Sequence, residues 1–194
     1  MPVPPELRQL EDDLDAIERD AQGLVAGLTE EGGSWRARPD SWSVAECLDH
    51  LATANRVYLG AMQPAALRAS EQGRQRRGPA LPGIVGRLFV RTLEPPVAAL
   101  FRMKSPRKIR PLSSRPLAET LTSFIASHNE VQAFVLANAN LDLAGVGFRN
   151  PFLPGVRFSL ATGLHVIAAH ERRHLWQAWR VRRMAESAFA ARSS

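Results

Sequence analysis

An all-α helical bundle is the fold class this sequence predicts, and three observations predict it. Long stretches carry apolar residues spaced three and four apart, the period of one helix face. No stretch reads convincingly as a strand. Clusters of Gly and Pro punctuate the helical stretches where a chain must turn. With 194 residues and 45% hydrophobic content, residues 1–194 are long enough to form one domain with a sizeable core. No apolar run approaches the length of a membrane span, and Met1 to Glu6 has no signal-peptide character. The single cysteine, Cys47, excludes an internal disulfide and fits a cytoplasmic location. The formal charge is +6, and Lys104 and Lys108 are the only lysines. Genome composition explains that preference for arginine as well as function does.

The first helix follows from Leu7, Leu10, Leu14, Ile17, Ala21, Leu24 and Leu28, a narrow apolar stripe with acidic residues on its other faces. Pro4 and Pro5 suit its first turn, and Gly32-Gly33 is expected to end it. A loop with Trp35 and Trp42 follows. Ser43 then opens a second helix, with Glu46 three residues on completing a capping box. Its main core side is Val44, Leu48, Leu51, Asn55, Tyr58 and Met62. His50 lies about 120° from the centre of that side, on a flank shared with Cys47, Ala54, Val57 and Ala61. There it is either a core histidine with a satisfied hydrogen bond or a ligand facing a neighbouring helix. Cys47 is expected to pack rather than react.

Between the second and third bundle helices the chain becomes irregular. Gln72 to Pro79 reads as a basic loop, and Ile84 to Met103 as a helical stretch that Pro95-Pro96 must kink or split. From Arg68 to Arg115 there are twelve basic residues against Glu71 and Glu94. A solvated face and an anion site are both consistent with this. Nucleic acid is not expected, because no recognisable binding motif and little aromatic interleaving accompany the charge. Burial in the bundle is preferred to a membrane-surface role for Ile84 to Met103. The third bundle helix spans about Pro116 to Asn138, with Leu117, Leu121, Phe124, His128, Val131 and Val135 inward. Asn138 to Gly155 reads as a loop and a candidate rim for a pocket. The last helix runs from about Phe158 to Ala188.

That last helix carries His170-Glu171-Arg172-Arg173-His174. Histidines four apart share a helix face, about 6 Å apart along the axis, so two imidazoles can close on one metal ion. Zinc, nickel, iron and copper all accept neutral imidazole. The same five residues match the zincin signature formally, with Glu171 as general base. A zincin needs a third ligand downstream, where Gln177 and Arg180 stand at the metzincin positions and Glu186 is awkwardly close. The third ligand is therefore expected from elsewhere, with His50 and the inward-facing His128 as rivals. His165 is about 140° round from His170 and is excluded. Gln177 shares the histidine face and could hydrogen-bond a ligand or simply pack. A salt bridge to a nearby arginine is the expectation for Glu171, ahead of contact with a metal-bound water.

Trp35 and Pro39, followed by Ser41-Trp42-Ser43-Val44-Ala45-Glu46-Cys47-Leu48-Asp49-His50-Leu51, resemble the second-helix entry of the DinB-like (YfiT-like) proteins. Ala168-Ala169-His170-Glu171-Arg172-Arg173-His174-Leu175-Trp176-Gln177 resembles their last bundle helix. The resemblance implies a four-helix bundle with a divalent metal held by His50, His170 and His174. Three neutral protein ligands leave coordination positions open, the pattern of catalytic rather than structural sites. It also implies a metal-dependent enzyme acting on small molecules: a thiol S-transferase, isomerase or hydrolase, in that order. A non-catalytic metal-binding stress-response protein is the alternative, and a zincin-like peptidase the third reading. The expected partners are a small-molecule substrate, a low-molecular-weight thiol among the candidates, and a second copy in a homodimer. Neither nucleic acid nor membrane is expected.

Overall fold

The computed structural model of the chain describes residues 4–96, 106, 109–111 and 115–192. Among them are six helices: α1 (Pro5–Val25), α2 (Glu30–Ser34), α3 (Val44–Glu71), α4 (Ile84–Leu93), α5 (Leu117–Ala137) and α6 (Leu160–Arg192). Two short strands, β1 (Gly147–Arg149) and β2 (Arg157–Ser159), complete the elements. The four long helices α1, α3, α5 and α6 form the bundle. Both α1 and α3 pack against α5 and against α6, which sets α1 opposite α3 and α5 opposite α6.

The expected stripe of α1 is buried from Leu7 to Leu24. The helix ends earlier than the glycine pair indicated, at Val25, and Gly27 makes the turn at φ +71°. Gly32 and Gly33 sit inside the short α2 instead. The cause is tertiary: a Cβ on Gly33 would lie 2.7 Å from a methyl of Leu117. That close approach lets the Glu30 carboxylate accept the backbone N–H groups of Leu117 at 2.8 Å and Ala118 at 3.3 Å. The first turn of α5 follows Pro116, which has no capping side chain, so Glu30 satisfies donors that would otherwise lack partners.

The capping box that opens α3 is present in full. Ser43 Oγ accepts the Glu46 N–H at 3.2 Å, and Glu46 accepts the Ser43 N–H at 2.9 Å. Arg36 grips the same Glu46 carboxylate through two nitrogens, at 2.6 and 2.9 Å, tying the Trp35–Trp42 loop to the helix start.

After α3, α4 packs on α6. Residues 97–103 of the stretch expected to be helical lie outside the described residues, as do Lys104, Lys108 and Ser114. The segment expected as loop, Asn138 to Gly155, contains β1, which pairs antiparallel with β2 and sets Phe148 opposite Phe158. Residues 157–159 are therefore strand, and α6 begins at Leu160 and runs on to Arg192. Phe148 packs onto Gly163, and Asn150 Nδ2 donates to the Tyr58 hydroxyl at 3.2 Å. Tyr58 is eight residues beyond His50, about two helical turns. This loop thus packs well along the bundle from His50 and does not form the expected rim.

Candidate metal centre

Two helices supply the three histidines. His50 comes from the second turn of α3, whose start the capping box and Arg36 fix. His170 and His174 project from successive turns of α6. One ring nitrogen from each lies within 4.8 Å of the others, and no other group of three or more His, Cys, Asp or Glu side chains among the described residues is so placed. The Nε2 atoms of His50 and His170 are 3.2 Å apart. Ring centroids of His174 stand 4.5 Å from His50 and 4.6 Å from His170.

The donor chemistry fits a divalent ion. Imidazole binds a zinc-like ion at about 2.0 Å, which places two ligands of a tetrahedral set about 3.3 Å apart. The His50–His170 separation is already there. His50 Nδ1 lies 2.6 Å from the Ile109 carbonyl oxygen. A carbonyl only accepts, so Nδ1 carries the proton and Nε2 keeps its lone pair, the tautomer of a ligating histidine. His174 Nδ1 is buried without a hydrogen-bond partner among the described residues.

Electrostatics keep these rings neutral. Burial lowers the pKa of His50, although the Ile109 hydrogen bond and the Asp49 charge oppose the shift. Burial likewise holds His170 and His174 well below the usual histidine value, helped by the neighbouring imidazoles and by Arg173. The amide of Gln177 acts weakly in the other direction on His174, so it is near the ring as expected. Neutral rings are the form that binds metal.

His50 is fully buried, whereas His170 and His174 keep a solvent-reachable edge. One wall is Trp42, whose ring centroid is 4.7 Å from His50 and 5.6 Å from His174. Ile109 stands behind His50. Neither residue was assigned to the site from sequence. Only the place of Trp42, just ahead of the Ser43 cap, could have pointed to it.

The other candidates are placed elsewhere. His128 is buried, with Nδ1 3.1 Å from the Glu171 carboxylate. Glu171 is completely buried and also accepts from Asn55 Nδ2 at 2.8 Å. The expected arginine partner of Glu171 is replaced by Asn55 and His128, because this face of α6 turns into the bundle between α3 and α5. A carboxylate so enclosed does not serve as the general base of a peptidase. Glu186 pairs with Arg182 at 2.7 Å on the surface. His165 stays outside the cluster, and Cys47 is buried, which pushes its thiol pKa well up.

A family model described as the DinB superfamily matches residues 13–178, which include all three histidines. The chain belongs to the DinB superfamily. Its all-α architecture agrees with that membership, and the three-histidine cluster fits a metal-binding DinB-like protein. Neither curated proteins nor solved structures gave a match.

Proposed function

We propose that this DinB-like protein is an enzyme that acts on a small molecule through one divalent metal ion held by His50, His170 and His174. The observation that carries the reading is the cluster itself: three neutral imidazoles converging from two helices, with one edge open to solvent. A divalent ion bound there supplies Lewis acidity at an open coordination position, which suits a thiolate or a carbonyl. Transfer involving a low-molecular-weight thiol is the first reaction class, isomerisation the second and hydrolysis the third.

The chain's own groups divide the remaining work. The Ile109 carbonyl holds His50 in the ligating tautomer, and Trp42 shields one side of the cluster from water. Glu171 holds α6 in register from within the bundle rather than meeting substrate. Cytoplasmic placement and a homodimer belong to the same reading.

Elemental analysis of the purified protein beside His50→Ala tests it. One equivalent of zinc, nickel or iron, lost in the variant, is the expected result, followed by thiol-transfer activity that chelator abolishes. Metal retained by His50→Ala would remove His50 as a required ligand. No metal after reconstitution would overturn the reading entirely. Tight metal binding with no turnover of thiols or electrophiles would make the protein a non-catalytic metal binder.

A further inference from the structure

Helix α4 has two apolar sides, and the described residues of the bundle cover only one. Gly86 faces α6 so closely that a Cβ would lie 2.6 Å from the Thr162 hydroxyl. Phe89, Val90 and Leu93 pack inward, with the Phe89 and Phe158 ring centroids 5.1 Å apart. On the other side, Ile84 is 70% exposed, Val85 77%, Leu88 59% and the preceding Leu81 44%. Within α4, spacings of one, three and four place Ile84, Val85 and Leu88 along one stripe, and the exposed Leu81 lies in the extended segment just before the helix. Together they leave on the order of 400 Å² of apolar surface in water, a patch of the size that marks an interaction site.

The charge around the stripe has one sign. Between Arg77 and Leu93 the only charged residues are Arg77, Arg87 and Arg91. All three are exposed, and none has an acidic partner among the described residues. Arg87 and Arg91 follow Ile84 and Leu88 by three residues each, so they border the stripe. Glu94, just after α4, is engaged with Arg172, and Glu6, which accepts the Ala80 N–H, is engaged with Arg76.

We propose that this face of α4 docks on an anionic lipid bilayer, with Leu81, Ile84, Val85 and Leu88 entering the interface and the arginines at the headgroups. A helix with an apolar face bordered by arginine has the chemistry of an interfacial helix. No helix among the described residues is long and apolar enough to cross a membrane, so the attachment is peripheral. A second copy of the chain fits less well. The patch is about half the area per partner of a stable interface, and a two-fold contact through it would bring like-charged rims together. This revises the expectation that the stretch is buried and that no membrane is involved. It does not depend on the metal reading.

The test is co-sedimentation of the full chain with phosphatidylcholine vesicles, with and without phosphatidylglycerol. Binding is expected with the anionic lipid and should weaken as salt rises. Val85→Glu with Leu88→Glu should abolish it, and Arg87→Gln with Arg91→Gln should weaken it by roughly 10- to 30-fold. These side chains are exposed, so helicity by circular dichroism and metal content should be unchanged in both variants. Absence of binding to anionic vesicles, or binding that survives Val85→Glu with Leu88→Glu, would overturn the proposal. So would a concentration-dependent dimer that the same double variant dissociates, which would assign the face to a second copy.

Discussion

The Nδ1 atom of His50 lies 2.6 Å from the carbonyl oxygen of Ile109, 59 residues further along the chain. This contact makes the orientation of one metal-site ring depend on a segment outside the four long helices. Ile109→Gly keeps the carbonyl but removes the buried side chain that anchors it. Metal affinity should fall about tenfold, as for loss of other groups that orient a ligand. Competition against a chromophoric chelator measures this. Unchanged affinity would show that the segment does not hold the ring.

Glu171 joins three helices from inside the bundle, accepting from Asn55 on α3 and pairing with His128 on α5. Glu171→Ala leaves His128 and one N–H of the Asn55 amide buried without their acceptor, while Asn55 keeps its bond to the Ser127 hydroxyl at 3.2 Å, at a cost of about 3 kcal/mol. Glu171→Gln keeps an acceptor for Asn55 and should cost about 1 kcal/mol. Urea unfolding distinguishes them, and Glu171→Gln should still bind one metal ion. Equal destabilisation by both variants would contradict the hydrogen-bond account.

The same pair gives stability a pH dependence. Burial disfavours the charged form of His128, but the hydrogen bond and charge of Glu171, together with the Glu18 charge and the Leu14 backbone, outweigh it and leave the pKa raised. The folded state then holds the proton more tightly than the unfolded chain. Its contribution is full below the unfolded value of about 6.5 and is lost as pH rises through the folded value. The three clustered histidines act in the opposite sense, with lowered values. Their effect is common to wild type and a His128→Gln variant, so the difference in Tm isolates His128. That difference should be larger near about pH 6 than near about pH 8.5. A difference independent of pH would rule out a charged His128.

What the sequence made legible was local or periodic. The apolar stripe of α1, the Ser43–Glu46 cap and the shared face of His170 and His174 all depend on residues within a few turns. His50 was one of two rivals until the family resemblance was added, because angular position places a side chain on a face without naming what covers it. Glu171 shows the same limit: its rotation off the histidine face was readable, but Asn55 and His128 come from other helices. The Gly32-Gly33 pair reads as a stop, yet Leu117, 84 residues on, makes it a close contact inside a helix. Three-residue strands are too short to show alternation, so the hairpin before α6 was hidden. On α4, apolar content indicated a helix expected to be buried, and only the packing shows that one of its faces stays exposed among the described residues.

Gly163, in the first turn of α6, tests how firmly that hairpin fixes the helix. A Cβ there would stand 2.8 Å from the Phe148 ring and 2.9 Å from the Met62 sulfur. Alanine favours a helix over glycine by about 1 kcal/mol, so propensity alone predicts that Gly163→Ala stabilises. Phe148 is not free to yield, however, because its backbone is paired with Phe158 in the hairpin that leads into α6. Overpacking such a site typically costs 1–3 kcal/mol, so the net effect should be a loss of up to about 2 kcal/mol in urea unfolding. Phe148→Leu in the same chain should recover part of that loss by making room for the methyl. Metal content should stay the same, since His170 lies two turns further along α6. A stabilised Gly163→Ala would mean that Phe148 moves aside, and that the hairpin is a looser clamp than its packing indicates.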